Sequence, residues 1–127
     1  MADIVVGTTE AETLALTGDY VYETRADASG GADIKSTGTG TATGTFTGED
    51  GTYQIAVSFY NENDGASPFT VYVNGVEVEA WTGTGGSGGS GVLQDHIFEL
   101  TLNTGDVIAI EGSKDAGEYA RIDSLTV

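Results

Sequence analysis

The sequence predicts an all-β domain, either a sandwich or a barrel. Short runs of alternating apolar and polar residues recur along it, the period of a strand with one buried face. Gly- and Asx-rich turns separate the runs, with 20 glycines and a single proline in 127 residues. Helical periodicity is nearly absent, as expected for such architectures. The length suits one domain spanning 1–127, large enough to bury a core without covalent staples.

The expected strands are 3–6, 12–16, 20–25, 32–35, 40–46, 53–61, 69–73, 76–81, 96–102, 107–111 and 120–127. The stretch 51–75 carries the pattern most clearly. Tyr53, Ile55, Val57 and Phe59 alternate with Thr52, Gln54, Ala56 and Ser58, and Phe69, Val71 and Val73 repeat the rhythm. Asn61-Glu62-Asn63-Asp64-Gly65 lies between them, all turn formers or charges, so the stretch reads as a hydrophobic hairpin with an acidic crest. Asn74-Gly75 signals a type I′ hairpin, and Asn103-Thr104-Gly105-Asp106 the turn of another. The run TGTGTATGT over 37–45 reads as a plain strand, because Thr favours strands. The run GTGGSGGSG over 83–91 offers no side chains to pack. It reads as an exposed flexible loop, natural or engineered.

Charge narrows the partners. Twenty acidic residues stand against four Lys and Arg, a net charge of −16. Phosphate binding needs basic patches, so the charge argues against a nucleic-acid partner, and an anionic membrane surface is disfavoured for the same reason. No apolar run is long enough to cross a bilayer. The excess suits divalent cations or a salty medium that screens self-repulsion. Without cysteine there are no disulfides and no thiolate metal sites. The opening MADIVVGTTE lacks the basic and apolar regions of a signal peptide.

Strand phase singles out three carboxylates. Glu12 shares parity with Leu14 and Leu16, Glu23 with Val21, and Asp123 with Leu125 and Val127. Each points toward the apolar side of its strand. A buried unpaired carboxylate is costly and must find a cation, a hydrogen-bond network or a proton. A Ca²⁺ ion held by carboxylate and carbonyl oxygens would satisfy all three. Alternatively, they sit at strand ends where phase no longer implies burial, with Asp123 pairing with Arg121.

Several stretches, taken in order, resemble the family 6/35/36 group of carbohydrate-binding modules. They are Ala11-Glu12, Gly51-Thr52-Tyr53-Gln54-Ile55-Ala56-Val57, Val73-Asn74-Gly75, Leu102-Asn103-Thr104-Gly105-Asp106-Val107-Ile108 and Arg121-Ile122-Asp123-Ser124-Leu125. The segments 61–65 and 117–123 also resemble a marine bacterial subgroup. The resemblance implies an antiparallel β-sandwich of the jelly-roll type and a structural calcium on Glu12, Glu23 and Asp123. It further implies a secreted module within a larger chain, monomeric in isolation, that binds a polysaccharide or oligosaccharide. The family's Thr-Gly-Trp segment is missing, since Thr82-Gly83 runs into the Gly/Ser loop.

Sugar recognition needs an aromatic platform and planar polar groups. The candidates are Tyr60, Asn61, Glu62, Asn63, Asp64, Trp81, Glu118 and Tyr119. Trp81 shares phase with Glu77 and Glu79 and is expected to face outward beside the loop, unless the loop folds over it as a satellite core. The crest acids would bond sugar hydroxyls directly or hold a second Ca²⁺ with help from Asp115 and Glu118, although turn chemistry alone explains their types. Catalysis is the weaker reading. His96 is the only histidine and no nucleophile-elbow motif supports a triad. The other non-catalytic reading is a structural or adhesive β-sandwich that uses calcium for rigidity without binding sugar.

Overall fold

Every long alternating run forms a strand in the computed structural model, which describes residues 2–84 and 91–127. In these residues the strands are β1 (Ala2–Ile4), β2 (Thr8–Glu10), β3 (Ala15–Thr24), β4 (Ala32–Phe46), β5 (Gly51–Asn61), β6 (Pro68–Val73), β7 (Val76–Thr82), β8 (Val92–Leu102), β9 (Val107–Ser113) and β10 (Ala120–Thr126). Hydrogen bonding follows the path β7-β6-β9-β4-β10-β5-β8. All neighbours along it are antiparallel, while β1 lies parallel to the end of β4.

Strand β4 joins the two layers. Its second half pairs with β9 from Thr39↔Ser113 to Thr45↔Val107, and its first half pairs with β10 through Ser36↔Ala120 and Ile34↔Ile122. The sheet therefore turns through β4 and closes on itself as a sandwich. Phe69, Val71, Ile108 and Ile110 from one layer meet Ile55, Val57, Leu102 and Ile122 from the other, all buried. Apolar burial of this kind contributes about 25 cal/mol for each Å² removed from water. The Gly/Thr run in β4 now has a packing reason. Its inward positions are Gly40, Ala42, Gly44 and Phe46. A Cβ at Gly40 would come within 2.4 Å of the Tyr20 backbone nitrogen, so only hydrogen fits beneath the Tyr20 ring.

Asn74 and Gly75 both have positive φ (51° and 82°) and join paired β6 and β7, as a type I′ turn requires. The other expected hairpins do not form. Strand β5 pairs with β10 and β8, whereas β6 pairs with β7 and β9, so residues 62–67 cross from one layer to the other. Likewise the turn at Asn103–Asp106 closes (Asp106 N to Asn103 O, 3.0 Å), but β8 and β9 lie in different layers. The expected strands 32–35 and 40–46 are one strand. Residues Ala11–Thr13 form a 3-10 turn where a strand was expected, and β8 begins at Val92 rather than His96. Of the expected loop 83–91, residues 85–90 lie outside the described residues.

Candidate functional site

Crossing between layers brings residues 62–67, the start of the segment after β7 and the β9–β10 connection to one end of the sandwich. Glu118 ties them together. It is 1 % exposed and accepts the Glu62 N–H at 2.7 Å on one carboxylate oxygen and the Ser67 N–H at 2.5 Å on the other. The Ser67 hydroxyl returns to the Glu118 carbonyl at 3.0 Å. Asp115 accepts the Ala66 N–H at 2.8 Å, and the Gly117 N–H donates to the Asp64 carbonyl at 3.0 Å. Asn61 fastens the third segment, donating to the Thr84 hydroxyl at 2.6 Å and accepting the Thr84 N–H at 3.0 Å. Backbone donors buried in a crossover need such acceptors, because an orphaned buried N–H is costly.

Beneath this crest lies an ion network. Arg121 donates from Nε to Glu23 at 2.8 Å and from Nη1 to Glu62, while Lys35 approaches Glu23 at 3.2 Å. Burial alone would raise Glu23. The hydrogen bonds and charge of Arg121, helped by Lys35, outweigh it and hold its pKa at about 2. Lys35, Lys114 and Arg121 each stand 5.2 Å from the centre of the Tyr119 ring, so three of the four Lys and Arg residues gather around one aromatic.

The structure separates the three expected metal ligands. Glu12 and Asp123 share a neighbourhood with Glu10, at the end of β2. Ser29 donates its N–H to both Asp123 oxygens at 3.0 and 3.1 Å and its hydroxyl to Glu10 at 2.5 Å. Burial, followed by the neighbouring carboxylates, raises the pKa of Glu12. Burial and Glu10 raise Asp123, against the opposing Ser29 hydrogen bond. One oxygen each of Glu10 and Glu12 is buried without a hydrogen-bond partner among the described residues. Glu23 is not part of this group, because Arg121 and Lys35 already neutralise it. Hard oxygen donors with unpaired lone pairs suit Ca²⁺ chemically. Among the described residues, however, no set of three or more His, Cys, Asp or Glu side chains is already closed tightly enough to hold a metal ion.

The ligand candidates divide by exposure. Asn63 and Asp64 are exposed and Tyr119 is half-buried, whereas Asn61, Glu62 and Glu118 are buried in the knit just described. Tyr60 is 1 % exposed, with the Arg25 guanidinium 4.0 Å over its ring, and burial pushes its pKa up to about 12. Trp81 does not face outward. The β6–β7 register sets it opposite Phe69, leaving Val76 and Val78 on the exposed side. Its ring stacks on Phe69 (5.2 Å, 18°) and on His96 (4.1 Å, 11°). His96 in turn meets Glu79 at 2.9 Å. The indole thus closes the gap between edge strands β7 and β8.

No family model matches the chain. An α-glucuronidase from Hypocrea jecorina is 32% identical over 104 residues, covering 74% of this chain and 12% of that protein. The chain therefore spans about an eighth of that relative's length. A family 35 carbohydrate-binding module from Clostridium thermocellum superposes with TM-score 0.70 and 24% identity, covering 95% of this chain and 97% of that one. An exo-β-1,3-galactanase from Phanerochaete chrysosporium, solved with β-1,3-galactotriose, superposes with TM-score 0.70 and 25% identity, covering 94% of this chain and 29% of that one. The chain has the antiparallel β-sandwich fold of the family 35 carbohydrate-binding modules. Its large relatives contain a region like it alongside much additional chain.

Proposed function

We propose that this chain is a non-catalytic carbohydrate-binding module that holds an attached enzyme against a polysaccharide. The observation that carries the reading is the end-to-end match to a free-standing family 35 module. Fold alone does not assign function, and partial matches to much larger carbohydrate-active enzymes supply the second support. Tethering raises the effective concentration of a catalytic partner without new contacts in its active site. In this reading the parent protein is secreted, so that the module meets its polysaccharide outside the cell.

The crest is the recognition surface in this proposal. Asn63 and Asp64 offer exposed polar groups, and Tyr119 offers a ring braced by cations. Asn61, Glu62 and Glu118 act by holding the crest rather than by touching sugar. The names of the relatives choose the test panel: β-1,3-galactan fragments and glucuronic-acid-substituted glycans. Calorimetry against that panel is expected to give saturable binding. Absence of binding across it, with the fold intact, favours the structural or adhesive alternative.

Calcium belongs to the proposal as a stabiliser. Glu10, Glu12 and Asp123 would hold it, and the ion would neutralise a cluster of carboxylates in which one oxygen each of Glu10 and Glu12 receives no hydrogen bond from any described residue. A ligand that binds only the folded state contributes about 2.7 kcal/mol at a hundredfold excess over Kd. For a chain of this size that raises Tm by roughly 8–15 °C. Glu12→Gln is expected to abolish the calcium-dependent rise, and Glu23→Gln to retain it. Identical melting of the wild-type protein in millimolar calcium and in chelator would defeat this part of the proposal.

A further inference from the structure

Asp33 is fully buried on β4, and neither of its carboxyl oxygens receives a hydrogen bond from any described residue. Directly across the β3–β4 ladder stands Glu23, and directly opposed residues of an antiparallel pair hold their side chains on one face within reach of each other. Two carboxylates cannot hydrogen-bond each other unless one keeps its proton. Glu23 is claimed by Arg121 and Lys35, so the proton falls to Asp33.

We propose that Asp33 is a neutral acid whose O–H donates to Glu23, and that this bond positions the Glu23–Arg121–Glu62 chain beneath the crest. It is a positioning residue, acting through Glu23 on the guanidinium, which holds Glu62 by its Nη1. The charged and titratable groups around it are Glu23 and the Tyr20 hydroxyl on β3, Arg25 just beyond β3, Arg121 on β10 and, through that arginine, Glu62. Lys35, on its own strand, reaches Glu23. Burial first, then contact with Glu23, raises Asp33 to about 8, against the opposing pull of Arg25 and Arg121. The sign follows directly. A carboxyl raised in the folded state contributes stability at low pH that is lost as pH rises from the ordinary aspartate range toward 8. Above that range Asp33 becomes an unpaired buried anion facing Glu23.

The consequence for sugar binding rests on the crest being the recognition surface, so the test separates the two ideas. Carbon-13 NMR of the side-chain carboxyls, with nitrogen-15 NMR of the Arg121 Nε–H, on the whole chain without sugar, reads Asp33 itself. The expected result is no Asp33 titration near pH 4, a step near pH 8, and a simultaneous shift of the Arg121 resonance. Asp33→Asn, whose amide donates to Glu23 at every pH, is expected to remove that step and to melt higher than wild type at pH 9, with the gap closing as pH falls toward 4. A normal acidic titration of Asp33, or an Arg121 resonance indifferent to the alkaline step, overturns the proposal. In a second arm, β-1,3-galactotriose is titrated calorimetrically. The crest reading expects wild-type affinity to fall about five- to tenfold between pH 7 and 9.5, with Asp33→Asn flat. Absence of heat at both pH values counts against that sugar at the crest and leaves the NMR result to decide the role of Asp33.

Discussion

Glu118→Ala should lower the melting temperature by roughly 10–20 °C. The substitution removes both acceptors for the buried Glu62 and Ser67 N–H groups. Each orphaned buried donor costs about 1–3 kcal/mol, and a chain of this size loses roughly 3–6 °C for each kcal/mol. The 1 % exposure of Glu118 decides the interpretation. A residue so deeply buried does not touch a polysaccharide, so any loss of binding reports disorder in the crest. Glu118→Gln is expected to fail almost as badly, since its amide turns a donor toward a donor. Differential scanning calorimetry checks both variants. A change within about 1 kcal/mol of wild type would show that the crossover is held by something other than this carboxylate.

Arg121→Met should cost about 3–5 kcal/mol at neutral pH, because it leaves buried Glu62 and half-buried Glu23 without their guanidinium. Methionine keeps much of the apolar stem, so the effect isolates charge from packing. Its pH dependence runs opposite to that of Asp33. Glu23 is depressed to about 2, with burial outweighed by its hydrogen bonds. A depressed carboxyl contributes stability above the ordinary glutamate range that is lost as pH falls through it toward 2. The gap between wild type and variant should therefore be widest above pH 5 and shrink toward pH 2. Thermal melts across that window check it, and a gap that stays constant would mean that the loss is one of packing.

Much of the fold was legible because burial on one face writes itself as alternation. Tyr53, Ile55, Val57 and Phe59 lie in β5, and the Asn74-Gly75 turn has the two positive φ values that its residues announce. Pairing was less legible. Two alternating runs joined by a short polar segment look alike whether they pair with each other or cross between layers, and only register with β9 and β10 separates the cases.

The carboxylates show the same limit at finer scale. Phase singled out Glu12 and Asp123, yet Asp123 is buried beside Ile122, Ser124 and Leu125 because the register shifts between Ile122 and Ser124. Glu10, the third carboxylate of their cluster, shares parity with Glu12 and flanks fully buried Ala11 with it, but the expected strand begins two residues after it. Phase groups Glu23 with Glu12 and Asp123 because it reports depth and not neighbours. The cation of Glu23 is Arg121, 98 residues away along the chain. Trp81 was read outward by counting from Val76, whereas an edge strand takes its facing from its partner, here Phe69. Asp33 carried no local signal, since its meaning lies in the carboxyl across the ladder.

The most direct test of the binding proposal is calorimetric titration of the wild-type chain, Tyr119→Ala and Trp81→Phe with β-1,3-galactan fragments and glucuronic-acid-substituted glycans in calcium. The expected result is saturable binding to one of these glycans by the wild type and Trp81→Phe, with affinity reduced about tenfold or more in Tyr119→Ala, a loss of at least 1.4 kcal/mol. Binding that survives Tyr119→Ala undiminished, or no binding by the wild type to any of these glycans, would contradict a recognition surface at the crest.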